Sequence, residues 1–209
     1  MIYLSGSVQP AILGDANIGF ILTPNMGNRP NLMHTFWGAD TGCFSLKQEF
    51  QLDVYLDWLI HLQAYRSRCL FATAPDVARQ PNGTLGGDPI ATWKRSKHVL
   101  PVIRALGFPA ALVAQNGIEN TAIAWDSFDV LFIGGDTEWK LGEQARRVVS
   151  EAKANGKWVH LGRVNSQRRL RYAHDIGCDS ADGTYIAYKP SEYVKTVRRW
   201  LRGLDEEAA

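Results

Sequence analysis

Trp158–Gly183, WVHLGRVNSQRRLRYAHDIGCDSADG, reads as a complete strand–helix–strand unit. The apolar run WVHLGR (158–163) is followed by residues whose apolar positions recur at helical spacing over 166–176. Gly177 stands where a glycine closes a helix. CDSADG (178–183) then reads as the next short strand, with two carboxylates, Asp179 and Asp182, three residues apart. Acids in and at the end of a buried strand need a reason beyond packing.

The same alternation runs along the chain. Strand candidates are IYLSG (2–6), IGFILTP (18–24), TFWGAD (35–40), CLFATAPD (69–76), AALVAQ (110–115), VLFIGG (130–135), WVHLGR and CDSADG. Helical periodicity covers 46–65, 89–106, 141–155, 166–176 and 190–203. Strands alternating with helices imply a parallel sheet. Eight of them predict a compact α/β fold, a (β/α)8 TIM-type barrel with some early helices reduced or missing. One domain over 1–209 is expected, with a frayed tail at 204–209. The rival is a doubly wound sheet, which usually carries a Gly-rich phosphate loop after an early strand; none is present.

Composition sets bounds. With 209 residues, 45% of them hydrophobic, the chain suffices for one well-packed domain and is thin for two. A net charge of +2 announces no global basic field, so any polyanion site must be local. Cys43, Cys69 and Cys178 are scattered without zinc spacing, which fits a reducing cytoplasm. No secretory signal and no run long enough to span a bilayer is seen, so a cytoplasmic protein without membrane contact is expected.

In a parallel barrel the strands' C-terminal ends share one mouth. Those ends carry Asp40, Asp76, Gln115, Gly134-Gly135 followed by Asp136, the run His160-Leu161-Gly162-Arg163, and Asp182. Each has a plainer reading: an Asp after a strand often caps the next helix, and a Gly pair can be a turn. Together they suit a purine. A carboxylate such as Asp76 accepts from the N1–H and amine of guanine, while the Gln115 amide or a bare Gly-Gly backbone N–H can donate to O6. A further acid on the sugar side can displace the base through an oxocarbenium-like transition state.

These ordered segments resemble those of the tRNA-guanine transglycosylase superfamily. DTGCFS from Asp40 is similar to its DSGGFQ segment, and APD supplies Asp76 as a base-binding acid. VAQNG, IGGDTEWKLGE and HLGRVNS are similar to its VQGG, IGGLAVGE and LMGVGTP segments. GCDSADG is similar to GVDMFDC. The resemblance spans roughly residues 36 to 186. It implies a (β/α)8 barrel, Asp182 (not Asp179) as nucleophile and Asp40 as proton-transfer group. It implies Asp76, Gln115, Gly134, Gly135 and Asp136 around the base, with Leu161 against its plane. No metal or redox cofactor is implied.

The bacterial tRNA enzymes of that superfamily carry a Cys3His zinc subdomain, and this sequence has no such cysteine cluster. The chain is most similar to compact, zinc-free transglycosylases of phages and DNA-modification islands. The resemblance therefore implies exchange of guanine in DNA for a 7-deazaguanine such as 7-cyano-7-deazaguanine, in the host cytoplasm if phage-encoded. Arg163, Arg168, Arg169 and Arg171 are candidates for phosphate contact, with a solvated helix face as their plainer reading. Trp93 and Trp139 are candidates for stacking on a nucleotide. Alternatives are guanine exchange in tRNA without the zinc subdomain, a non-catalytic base-binding subunit, or a nucleoside hydrolase or deoxyribosyltransferase. The 7-substituent and the oligomeric state are left open.

Overall fold

The structure is a computed structural model that describes residues 1–7, 10–26, 32, 34–43, 50–79 and 83–206. Its centre is a closed barrel of eight parallel strands paired in chain order: β1 (Ile2–Ser5), β2 (Ile18–Leu22), β3 (Trp37–Ala39), β4 (Cys69–Thr73), β5 (Ala110–Ala114), β6 (Val130–Ile133), β7 (Trp158–Leu161) and β8 (Ser180–Gly183). β1 pairs with β8, setting Leu4 opposite Asp182. The barrel of the sequence reading is thus present, and the doubly wound rival is excluded because that sheet is open.

The helices are α1 (Leu52–Leu62), α2 (Pro89–Ser96), α3 (Leu100–Ala105), α4 (Thr137–Lys140), α5 (Glu143–Ala154), α6 (Gln167–Asp175), α7 (Tyr185–Tyr188) and α8 (Pro190–Glu206). The continuous helix expected over 89–106 is two. Pro101 lacks the N–H to extend a helix from upstream and sits instead in the first turn of α3. The helix expected over 46–65 ends at Leu62 and tightens to a 3-10 helix over Gln63–Arg68; its expected start at 46–49 lies outside the described residues, as do Phe44, Ser45 and the last three residues. Gly177 (φ +95°) closes α6: its N–H donates to His174 O, and the Cys178 N–H donates to Ala173 O.

Side chains alternate across each strand, and the buried apolar residues fall into two clusters accordingly. The larger, including Tyr3, Phe20, Leu131, Val159 and Ala181, fills the layer between barrel and helices. The smaller, Leu4, Ile21, Phe71, Ala111 and Val130, plugs the barrel itself. Among the described residues, the β1–β2 connection carries only a 3-10 turn, Pro10–Ile12. Helix α8 packs beside that turn. Its Val194, Val197, Leu201 and Leu204 are buried at helical spacing, and Arg198 bonds Asp15 at 2.7 Å and Ala11 O at 3.0 Å. No described helix is long and apolar enough to cross a membrane.

Phe71 fills the barrel because its neighbour on β3 is a glycine. A Cβ on Gly38 would lie 2.6 Å from Phe71 Cζ. The Phe71 ring is fully buried and packs edge-on to Phe132, so it has little room to withdraw. Gly38→Ala is therefore expected to destabilise by about 1–3 kcal/mol through overpacking. Urea denaturation measures it, and a change within experimental error would mean that the plug has slack.

Candidate active site

The C-terminal mouth opens into a cavity of about 300 Å³ whose lining includes Asp40, Asp76, Gln115, Gly134, Gly135, Arg163 and Asp182. Residues from β3, β4, β5, β6, β7 and β8, or the loops that follow them, therefore meet around one space. Asp179, the other acid of the GCDSADG segment, is at the opposite end of β8. It pairs with Lys153 at 2.7 Å and accepts the Val159 N–H at 2.8 Å. One acid ties strands together at the barrel floor; the other faces the mouth.

Asp40 follows β3. Its Oδ1 accepts from Thr73 Oγ1 at 3.2 Å, and Thr73 in turn accepts the Thr41 N–H at 3.0 Å. Burial, and secondarily the charge of Asp182, raise its pKa; bonds from the Gly42 N–H and Thr73 only partly oppose this. Asp76 follows β4 and is buried, whereas Asp40 keeps some exposure. Burial, reinforced by Asp40, pushes its carboxyl up to about 7. Its Oδ2 accepts from Gln115 Nε2 at 2.6 Å, and Gln115 Oε1 accepts the Gly135 N–H at 3.1 Å. The Gly134 N–H donates to Ala114 O at 2.9 Å.

That arrangement corrects one expectation. The Gly134 and Gly135 amides are engaged within the protein and do not face the cavity as donors. Gln115 instead links Asp76 to the β6 loop. Gly87 holds this link from the other side, since a Cβ there would strike Gln115 Oε1. The cation at this end is Arg163, whose guanidinium donates to the carbonyls of Gly134 and Gly135. Arg163 has φ +63°, and it is the only non-glycine with positive φ among the described residues. Such a conformation costs roughly 1–2 kcal/mol for an L-residue.

Three other expectations resolve differently. Leu161 is not in the cavity. It lies in the outer apolar layer, because His160 and Gly162 on either side take the inward positions. Asp136 caps α4 and is not among the residues lining the cavity. Its Oδ1 accepts the Trp139 N–H at 2.8 Å, which holds its carboxyl below the usual range, and its Oδ2 accepts from Asn116 at 2.6 Å. Of the four arginines, only Arg163 lines the cavity. Arg168 is exposed on α6, Arg171 is half-buried there, and half-buried Arg169 shares a small recess with Arg163 and Lys140. Trp139 is buried with its indole bonded to Glu119 at 3.1 Å, and Trp93 lines a separate recess. The Cys43 thiol is pushed up to about 11, chiefly by burial, which leaves little thiolate near neutral pH.

Sequence reasoning did not single out Thr73, Phe132 or Lys140. Lys140 ends α4, and its buried amine donates to Gly162 O at 2.6 Å. Burial first, then the Arg163 charge, brings it down to about 7. Strict alternation from His160 would have placed Gly162 inward; nothing in the sequence marks Lys140. Among the described residues, no group of three His, Cys, Asp or Glu side chains is arranged to hold a metal ion.

Fold and site together define a parallel eight-stranded barrel with an acid-lined pocket at its C-terminal mouth. No protein-family model matches the chain, and no curated protein matches it.

Asp76 supplies a test of these electrostatics. Its folded-state pKa is raised, so the native protein retains a proton that the unfolded chain has lost between about pH 4 and 7. Its burial therefore weighs against folding increasingly as pH rises through that window. Asp76→Asn is expected to raise stability at about pH 8, by on the order of 1–3 kcal/mol, with the gain gone by about pH 4. Thermal melts at both pH values check this, and a pH-independent difference would contradict it.

Proposed function

We propose that the protein is a guanine transglycosylase that exchanges guanine in DNA for a 7-deazaguanine base through a covalent Asp182 intermediate. The observation that carries this reading is the convergence of Asp40, Asp76, Gln115 and Asp182 on one cavity. It adds to the resemblance of the same segments to the tRNA-guanine transglycosylase superfamily. On this reading residues 1–209 form one compact catalytic barrel, with its early helices reduced, and the enzyme works in the cytoplasm.

Asp76 takes the N1–H and amine edge of guanine. Its bond to Gln115 uses one carboxylate oxygen and leaves the other for the base. Gln115 keeps a second amide hydrogen, and Arg163 stands beside the Gly134-Gly135 turn. These two, in place of the backbone amides first expected, meet the negative charge that gathers on the departing base. A carboxylate oxygen of Asp182 attacks C1′ as the C1′–N9 bond breaks, and the bonding pair leaves with guanine. Asp40, whose pKa burial raises, gives its proton to the leaving base. The incoming 7-deazaguanine loses its N9 proton to Asp40. Its nitrogen then attacks C1′ and releases the Asp182 carboxylate. Two displacements retain the anomeric configuration, and both acids end as they began.

The pocket lies at the mouth of a closed barrel, so a target base must leave its stack to enter. Arg169, near the mouth, and exposed Arg168 and half-buried Arg171 on α6 are the phosphate contacts on this reading.

Labelled guanine offered with single-stranded DNA, duplex DNA, tRNA or free nucleosides tests the proposal. Label should enter DNA, and denatured protein should carry a covalent DNA adduct by mass. Asp182→Ala should lose the adduct and slow exchange by roughly 10⁴–10⁶-fold while still binding guanine. Label in tRNA alone, or exchange by Asp182→Ala near the parental rate, would overturn the assignment. Arg163→Gly should relieve the backbone and leave stability equal or higher by about 1 kcal/mol, yet slow exchange by roughly 10²-fold. A variant that melts lower and exchanges normally would make Arg163 structural.

A further inference from the structure

Behind Asp182 lies a line of polar groups that the exchange chemistry above does not use. Trp158 and His160 sit two apart on β7, Ser180 and Asp182 two apart on β8, and the pairing sets His160 beside Ser180. All four face the barrel interior. Trp158 Nε1 donates to Ser180 Oγ at 2.9 Å. Ser180 Oγ is 2.8 Å from His160 Nδ1, and His160 Nε2 is 3.0 Å from Asp182 Oδ1. His160 and Ser180 are fully buried, and the Phe71 and Phe132 rings flank the imidazole, each centroid at 4.6 Å.

Donor chemistry orders the protons. An indole N–H can only donate, so Ser180 Oγ accepts from Trp158. The serine's own hydrogen then has one partner among the described residues, Nδ1, which must be bare to accept it. Nε2 therefore carries the ring hydrogen and donates to Asp182. A doubly protonated ring would strand the buried Ser180 hydrogen, at the cost of an unsatisfied polar group. Asp182, which lines the cavity, is thus gripped by Oδ1, while Oδ2 has no hydrogen bond to the described residues.

We infer that Trp158, Ser180 and His160 form a one-way hydrogen-bond relay that orients Asp182 and leaves Oδ2 as its reactive oxygen. His160 is a positioning residue. Serine, histidine and aspartate here resemble a hydrolase triad run backwards. In a serine hydrolase the hydroxyl meets the substrate and the acid is buried behind the imidazole. Here the hydroxyl is sealed inside, engaged by Trp158, and the acid meets the cavity. Gly162 makes room for this, since a Cβ there would lie 2.9 Å from Phe132 Cε1 and 3.4 Å from Asp182 Oδ1.

The relay rests on hydrogen-bond geometry; only its kinetic consequence rests on the exchange reading, so the test has two arms. ¹⁵N NMR of the histidine-labelled protein should find His160 neutral with the hydrogen on Nε2, and Ser180→Ala should admit the other tautomer. A ring carrying its hydrogen on Nδ1, or on both nitrogens at neutral pH, would overturn the relay whatever the activity. In the exchange assay, His160→Leu should lower kcat by roughly 10²-fold with KM little changed. His160→Gln, which keeps an N–H at the same reach, should recover most of that loss. Exchange by His160→Leu at the parental rate would overturn the positioning role. Should His160→Leu fail to fold, Ser180→Ala and His160→Gln carry the same comparison. Absence of exchange in the parent protein, with the Nε2–H tautomer present, would count against the transglycosylase reading and leave the relay standing.

Discussion

Everything at the mouth depends on the parallel pairing of β1 with β8. A parallel strand ends where its neighbours end, so a closed ring of eight brings eight C-termini to one rim. The seam is clasped from several sides. Tyr3 donates its hydroxyl to Val164 O at 3.1 Å, and the Thr184 N–H donates to Asn165 Oδ1 at 2.7 Å. These bonds tie the loop after β7 to both closing strands. Gly183 is bare at the point of closest approach, where a Cβ would lie 2.5 Å from Asn165 Oδ1 and Tyr3 Oη and would strike Val164 O. Asp182 is the residue just before that clasp, so closure and the position of its carboxylate are one constraint.

Closure also sets the electrostatic problem. Asp40, Asp76 and Asp182 share a small space, where like charges are screened poorly. Burial does most to raise the pKa of Asp40 and of Asp76, and a neighbouring acid adds to each. The cations nearby do not cancel this simply: Arg163 is turned to two backbone carbonyls and Lys140 to a third. A ligand presenting several N–H donors would relieve the acids, and one presenting only acceptors would worsen them. On the transglycosylase reading proposed above, the donor edge of guanine would meet that imbalance.

Much of this was legible in the chain because strand ends are marked by polarity. Asp40, Asp76, Gln115 and Asp182 each interrupt an apolar run, and the alternation of runs with helical segments foretold the barrel. What was missed followed from geometry that polarity does not carry. Leu161 looked like a base platform by motif position, yet period two from His160 turns it outward. The Gly134 and Gly135 amides looked free, but the ladder takes one and Gln115 the other. Pro101 hid inside a helical pattern that it breaks. Lys140 and Gly87 reach the site by packing between loops distant in sequence, which no local pattern records.

The barrel interior explains why polar groups can stand below the mouth at all. Phe71, Phe132 and the ring of His160 form an aromatic layer beneath the cavity, with Leu4, Ile21, Ala111 and Val130 in the same plug. Asp182 lines the cavity at the rim. The fully buried His160 and Ser180 must then find their partners inside the barrel. Trp158, Ser180 and His160 meet that demand only in series, each using the bond its neighbour leaves over. The series ends on the carboxylate because Asp182 is the first interior group with an oxygen to spare for the cavity. The apolar plug that stabilises the barrel is thus also what gives the acid at its top a fixed direction.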